Sequence, residues 1–229
     1  MANLSLLTDF YELTMMQGYF FQCPRERAVF EMFFRSQPFS GGYTIFAGLE
    51  PLLREIENIS FDRESLDFLA SQKIFRDEFL DYLSGYRFSG TIYSMEEGNA
   101  VFPGEPLLRV HGTLMEAQLL ESIILNFINF QSLIATKTCR IVLAARNTPV
   151  LEFGLRRAQG INGAISATRA AYIGGASSTS NTLAAKLHSI PTSGTMAHSW
   201  VMSFENELES FRKYVELYPD RPILLVDTF

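Results

Sequence analysis

Four short stretches hold the side chains best suited to chemistry. In Gly194-Thr195-Met196-Ala197-His198-Ser199-Trp200 a histidine follows a strand-like run. A neutral imidazole there can act as base, nucleophile or phosphoryl acceptor, although a ring hydrogen-bonded on a loop needs no such role. Glu152-Phe153-Gly154-Leu155-Arg156-Arg157 closes a strand on glycine and follows it with two guanidinium groups. Their planar fork matches a carboxylate or a phosphate, while the plainer reading is a solvated helix start. Gly174-Gly175-Ala176-Ser177-Ser178-Thr179-Ser180-Asn181 is small and hydroxyl-rich and runs into a helix. Such a segment admits an anion to free backbone N–H groups, or simply caps the helix. Tyr11, on an amphipathic helix, reads by itself as a core aromatic.

These groups need elements to hold them. The spacing predicts helices over 7–20, with Thr8 or Asp9 as cap, over 48–58, and over 64–83 between Asp62 and Gly85. Strands are expected at 27–35 and 90–94, with a looped strand pair across 99–110. The apolar run 115–145 reads as helical with a break near 129–132. Beyond residue 148 the rhythm changes. Strand candidates at 150–154, 172–176, 193–197 and 223–228 alternate with helical stretches at 163–171, 182–188 and 203–217. That alternation implies βα units and a parallel sheet. Arg156, the 177–181 loop and His198 would then share the C-terminal end of the strands, where such sheets bind ligands.

Composition excludes several classes. The 229 residues are 47% apolar and 19% charged, with 20 phenylalanines against one tryptophan, a balance that supports a sizeable aromatic core. Cys23 and Cys139 match no zinc or redox spacing, and a reduced, cytoplasmic protein is expected. No apolar run reaches the roughly 18 residues of a membrane helix, so no membrane partner is expected. The net charge is −6, yet residues 131–200 carry seven basic side chains against Glu152 alone. One basic stretch in an acidic chain suits a local anion site, and no nucleic-acid reading motif is present.

The segments taken together resemble the nicotinate phosphoribosyltransferase family. The resemblance runs in order through Thr8-Asp9-Phe10-Tyr11-Glu12-Leu13-Thr14-Met15, Gly41-Gly42-Tyr43 with Phe46-Ala47-Gly48-Leu49-Glu50, and Glu97-Gly98 with Val101-Phe102-Pro103-Gly104-Glu105-Pro106-Leu107. It continues through Asn129-Phe130-Gln131-Ser132-Leu133-Ile134-Ala135-Thr136-Lys137, residues 152–160 and residues 194–200. It implies an α/β fold: an N-terminal α/β sandwich and helical region over 1–148, then residues 149–229 as a partial (β/α) barrel of the type II phosphoribosyltransferase kind, ending after about four strands. A typical complete barrel takes roughly 250 residues.

The implied reaction joins nicotinate to phosphoribosyl pyrophosphate, coupled to ATP hydrolysis with Mg²⁺, in NAD biosynthesis. By the same resemblance His198 is the histidine transiently phosphorylated by ATP. Phe153 stacks on one face of the pyridine, and Tyr11 of a neighbouring subunit covers the other. Arg156 lies near the nicotinate carboxylate and phosphate groups. Gly154, Ser177 and Thr195 join the substrate-binding set, Ser177 standing in a loop where some relatives carry an aspartate; no metal ligand is picked out. The expected partners are the two substrates, a second copy in a homodimer, and a separate chain supplying the rest of the barrel. The isolated chain is expected to turn over little nicotinate. The alternatives are a non-catalytic remnant that binds a partner, or a transferase for another pyridine such as nicotinamide.

Overall fold

The chain opens with α1 (Phe10–Gln22), turns into β1 (Arg27–Met32) and β2 (Thr44–Ile45), and continues through α2 (Leu49–Asn58), α3 (Arg63–Ser71) and α4 (Asp77–Ser84). β3 (Thr91–Ser94), β4 (Ala100–Val101) and β5 (Leu108–Thr113) follow, then α5 (Leu114–Leu119) and the long α6 (Glu121–Ala145). The structure, a computed structural model, describes residues 4–229. The strands β1, β5 and β3 form an antiparallel sheet in that order, with Val29 opposite His111 and Tyr93 opposite Arg109. β2 pairs separately with β4. Alternation puts Met32, Leu108 and Val110 on the buried face, against Phe46, Leu52, Leu69, Phe79, Leu83, Ile123 and Ile128. Phenylalanine supplies much of this core: the Phe75 and Phe79 rings lie 5.9 Å apart and Phe20 and Tyr82 5.1 Å.

Two expectations for this half change. The helix expected over 64–83 divides into α3 and α4, because Lys73 adopts a left-handed φ of 59° between them. The break expected near 129–132 falls instead at Leu120, and α6 runs unbroken for 25 residues. Its mid-helix polar residues pair with backbone outside the helix. Ser132 Oγ accepts from Ala47 N–H at 3.0 Å and donates to Ala47 C=O at 3.1 Å. Thr136 Oγ1 accepts from Ile45 N–H at 2.8 Å. One turn apart, these hydroxyls satisfy backbone groups of Ile45 in β2 and of Ala47 just after it.

A capping box starts α5: Thr113 accepts from Glu116 N–H while Glu116 accepts from Thr113, and also from Ser89 N–H and Oγ at 2.7 and 2.8 Å. Burial alone would raise the Glu116 pKa, but these donors hold it below the usual carboxylate range. A carboxyl depressed on folding stabilises the protein above its unfolded pKa and loses that contribution as pH falls through the folded value. Glu116→Gln should therefore cost about 1–2 kcal/mol at pH 7 and progressively less below pH ~4. Urea unfolding of both proteins at each pH checks this.

After residue 148 come β6 (Leu151–Glu152), α7 (Gly160–Ile173), β7 (Ser178–Thr179), α8 (Thr182–His188), α9 (His198–Met202) and α10 (Glu207–Leu217). β6 and β7 pair in parallel, and Thr179 forms a further parallel bridge with Thr192. The parallel arrangement is as expected, but the second strand is displaced. Residues 172 and 173 finish α7 instead, because Gly174 lets that helix end directly on α6: an added Cβ would stand 2.4 Å from the Ala135 carbonyl oxygen. Segments 193–197 and 223–228 run without ladder pairing.

Candidate active site

The three parallel segments end together. Ser180 N–H donates to Glu152 C=O at 3.0 Å, and Ser193 N–H to Thr179 C=O at 2.9 Å. Phe153, Ser180 and the residues after Thr192 therefore leave the sheet on one side. Phe153 is 43% exposed there, and Gly154 leads into a 3₁₀ turn at Leu155–Arg157. Arg156 and Arg157 are both exposed and make no ion pair among the described residues, which leaves two guanidiniums available to an anion.

Glu152 holds this edge in place. Its Oε2 accepts from Thr179 Oγ1 at 2.7 Å and from Thr168 Oγ1 of α7 at 2.9 Å, while Oε1 accepts from Gly154 N–H. Asn181 extends the network: its N–H donates to Thr179 Oγ1, its Nδ2 to Thr168 Oγ1 at 3.2 Å, and its Oδ1 caps α8 at Ala184 N–H. One carboxylate thus ties two strand ends to a helix and sets the backbone that carries Phe153.

His198 begins α9 beyond the third segment, and its side chain is 52% exposed. Nδ1 lies 3.1 Å from Thr228 Oγ1 and Nε2 4.0 Å from Asp227 Oδ1. Thr228 can accept from Nδ1–H, the tautomer that leaves the Nε2 lone pair free, or donate to a bare Nδ1, the tautomer that sets Nε2–H toward Asp227. Thr195 is exposed nearby in sequence, its hydroxyl donating to the Met196 carbonyl. The contact with Thr228 brings the unladdered last segment to the same end.

A second carboxylate joins this part to the first. Glu97 accepts from Gly48 and Leu49 N–H at 2.6 and 3.1 Å, so it caps α2. It also receives both terminal nitrogens of Arg169 at 2.8 and 2.7 Å. The two side chains are only 17% and 14% exposed. Burial would raise the Glu97 pKa, yet Arg169 and the helix N–H groups hold it below the usual range. Gly48 has φ 107°, and a Cβ there would meet the Phe127 carbonyl oxygen at 2.7 Å. Arg169 follows Thr168 directly, so α7 grips α2 with one residue and the strand ends with the one before it.

Residues 6–129, more than half of the chain, match the family described as the nicotinate phosphoribosyltransferase (NAPRTase) N-terminal domain. The chain belongs to the nicotinate phosphoribosyltransferase family. It is 44% identical over 225 residues to a nicotinate phosphoribosyltransferase of Mycobacterium tuberculosis, covering 98% of this chain and 48% of that protein. With the Bacillus subtilis enzyme of that name it shares 44% over 228 residues, covering 99% and 46%. The chain therefore spans about half the length of these relatives. The crystal structure of human nicotinic acid phosphoribosyltransferase superposes with a TM-score of 0.78 at 39% identity, over 86% of this chain and 40% of that one. A nicotinate-nucleotide pyrophosphorylase from Pyrococcus furiosus superposes at 0.79 over 100% of this chain and 53% of its own, and at 24% identity it speaks for the fold alone.

The residues expected from the nicotinate phosphoribosyltransferase resemblance fall into three groups. Phe153, Gly154, Arg156, Thr195 and His198 follow the strand ends on one side. Ser177 does not join them. Its N–H and Oγ donate to the Val150 carbonyl, level with the start of β6, so it opens β7 about 10 Å of strand away from Phe153. The displacement of β7 is the cause, and Ser180 occupies the position at the strand end. Tyr11 sits on α1, 47% exposed, with its hydroxyl hydrogen-bonded to Glu121; desolvation and then that carboxylate push its pKa up to about 12.

Glu152, Glu97 and Arg169 carry no role in the sequence reading. A lone acid at a strand end and a glutamate in a turn offer no spacing that distinguishes them from solvated charge. Among the described residues no three His, Cys, Asp or Glu side chains gather as a metal cage. No helix of the described residues is long and apolar enough to cross a membrane.

Proposed function

We propose that this chain forms the acceptor- and phosphoryl-handling part of an ATP-dependent nicotinate phosphoribosyltransferase. In this reading residues 1–148 are the α/β sandwich and helical region, and 149–229 open a (β/α) barrel whose C-terminal strand ends bear the site. The observation that carries it is the shared exit of Phe153, Arg156 and His198 from one parallel sheet, with both arginines after Gly154 unpaired. Nicotinate lies with its ring on Phe153 and its carboxylate on Arg156, and Gly154 keeps the backbone clear of the ring. Tyr11 of a second subunit closes the other ring face. The γ-phosphoryl of ATP passes to Nε2 of His198 as the bond to ADP breaks, and water later releases it as phosphate. Phosphoribosyl pyrophosphate binds beside this imidazole near Thr195. Ser177 takes no part, because it lies at the far end of the sheet.

Binding of pyridines tests the acceptor assignment. Arg156→Gln should weaken nicotinate binding about 10- to 30-fold, the worth of a charged hydrogen bond, and leave nicotinamide within about twofold. Isothermal titration with each pyridine reads this directly; equal losses for both would remove Arg156 from the carboxylate. Turnover tests the remainder. The 229-residue chain alone should form little nicotinate mononucleotide, and a chain covering the rest of the relatives' length, added separately, should raise it.

A further inference from the structure

We infer that Glu152 is a positioning residue for the pyridine acceptor: its carboxylate folds back onto Gly154 N–H and so sets the turn from which the Phe153 ring and the Arg156 guanidinium leave the sheet. The inference deepens the proposed function and rests on it. Oε1 accepts from Gly154 N–H two residues on, which closes a small ring around Phe153 at the end of β6. The same oxygen claims the space beside the glycine, where an added Cβ would stand 2.8 Å from it. Position 154 is therefore glycine for this carboxylate as well as for the ligand. Its N–H is already taken, so the turn offers a ligand the ring and the guanidinium rather than that donor.

The other oxygen holds the carboxylate still. Oε2 accepts from Thr179 Oγ1 at 2.7 Å and from Thr168 Oγ1 at 2.9 Å. Thr179 Oγ1 itself accepts from Asn181 N–H at 2.9 Å, so its proton goes to Glu152. Donors thus converge on both ends of one side chain, and only a group that accepts at both ends serves them all. An amide does not. With its oxygen on the two hydroxyls, its NH₂ meets Gly154 N–H, donor against donor, and the turn opens. An aspartate fails differently. It still reaches the N–H two residues on, the geometry of an Asx-turn, but it is too short for the threonines. Holding the turn and tying the strand ends to α7 therefore separate in two single variants.

Isothermal titration with nicotinate and nicotinamide, beside urea unfolding, reads Glu152→Gln and Glu152→Asp, with Phe153→Ala as reference. Phe153→Ala should weaken both pyridines about tenfold. Glu152→Gln should weaken nicotinamide about tenfold and nicotinate at least as much, because both rings lie on Phe153, and it should keep most of the urea midpoint. Glu152→Asp should bind both pyridines within about threefold of wild type and unfold at clearly lower urea. A ligand-free readout is para-fluorophenylalanine placed at position 153: one sharp fluorine resonance is expected in wild type and Glu152→Asp, and a broadened or doubled one in Glu152→Gln. Binding losses that follow the urea midpoints in both variants would make Glu152 structural alone and overturn the proposal. So would a Glu152→Gln protein that binds both pyridines as wild type does while Phe153→Ala loses them. Where Phe153→Ala leaves both pyridines untouched, the functional reading itself fails and takes the proposal with it.

Discussion

Replacing Glu97 by alanine should lower the stability of the chain by about 2–3 kcal/mol, read as a lower urea midpoint at constant slope. The substitution removes two things at once. The first-turn N–H groups of α2 lose their acceptor, worth about 1 kcal/mol. Arg169, only 14% exposed, is left without its bidentate partner, and Glu50 at 3.6 Å replaces it poorly. Partial access to water keeps the total below the 3–5 kcal/mol of a fully buried pair. The pH dependence has a fixed sign. Glu97 is depressed in the folded state, so its contribution is complete above the unfolded carboxylate pKa and disappears as pH falls through the lower folded value. The gap between wild type and Glu97→Ala should therefore narrow below pH ~4. A gap constant from pH 7 to 3 would mean that the Glu97 carboxylate contributes nothing through its charge.

His198→Ala should do the reverse, sparing stability and removing chemistry. The ring is half exposed, with one hydrogen bond to Thr228 and Asp227 at 4.0 Å, so its loss should change unfolding by no more than about 0.5 kcal/mol. Transfer of labelled γ-phosphoryl from ATP to the protein, as an acid-labile adduct, should fall at least a hundredfold, since no other imidazole stands at this end of the sheet. Labelling that survives in His198→Ala would assign the acceptor elsewhere. Thr228→Val tests the tautomer: without a partner at Nδ1, labelling should slow while the site of labelling stays the same.

Much of the architecture was legible in the residues. Asp62 caps α3 and Gly85 ends α4, as their types require. α8 spans Thr182–His188, as its spacing predicts, and parallel pairing after residue 148 follows from alternating short elements. What misled was glycine and hydroxyl chemistry whose partners lie far off in sequence. The uncapped run 115–145 reads as too long for one helix, hence the break expected near 129–132, because nothing local shows that Ser132 and Thr136 meet the backbone of Ala47 and Ile45, 85 and 91 residues away. The Gly174-Gly175 pair suits a ligand cradle equally well, yet its small size serves contact with α6. That displaced β7 and, with it, the position of Ser177. The alternation of short elements puts Arg156 and His198 beyond strand ends, whereas Phe153, one of 20 phenylalanines, is singled out only by the family resemblance. Nothing local singles out Glu152 and Glu97, since a buried carboxylate is recognised by its donors, and those come from three separate elements.

The adjacency of Thr168 and Arg169 constrains how this protein can be divided or altered. Successive helical residues project about 100° apart, so a single inserted residue near the middle of α7 would swing one of the two grips out of reach. A cut in the linker near residue 148 would likewise orphan Glu97 on one fragment and Arg169 on the other. The two regions are therefore poor candidates for separate expression, and circular permutants should keep α2 and α7 on one uninterrupted stretch.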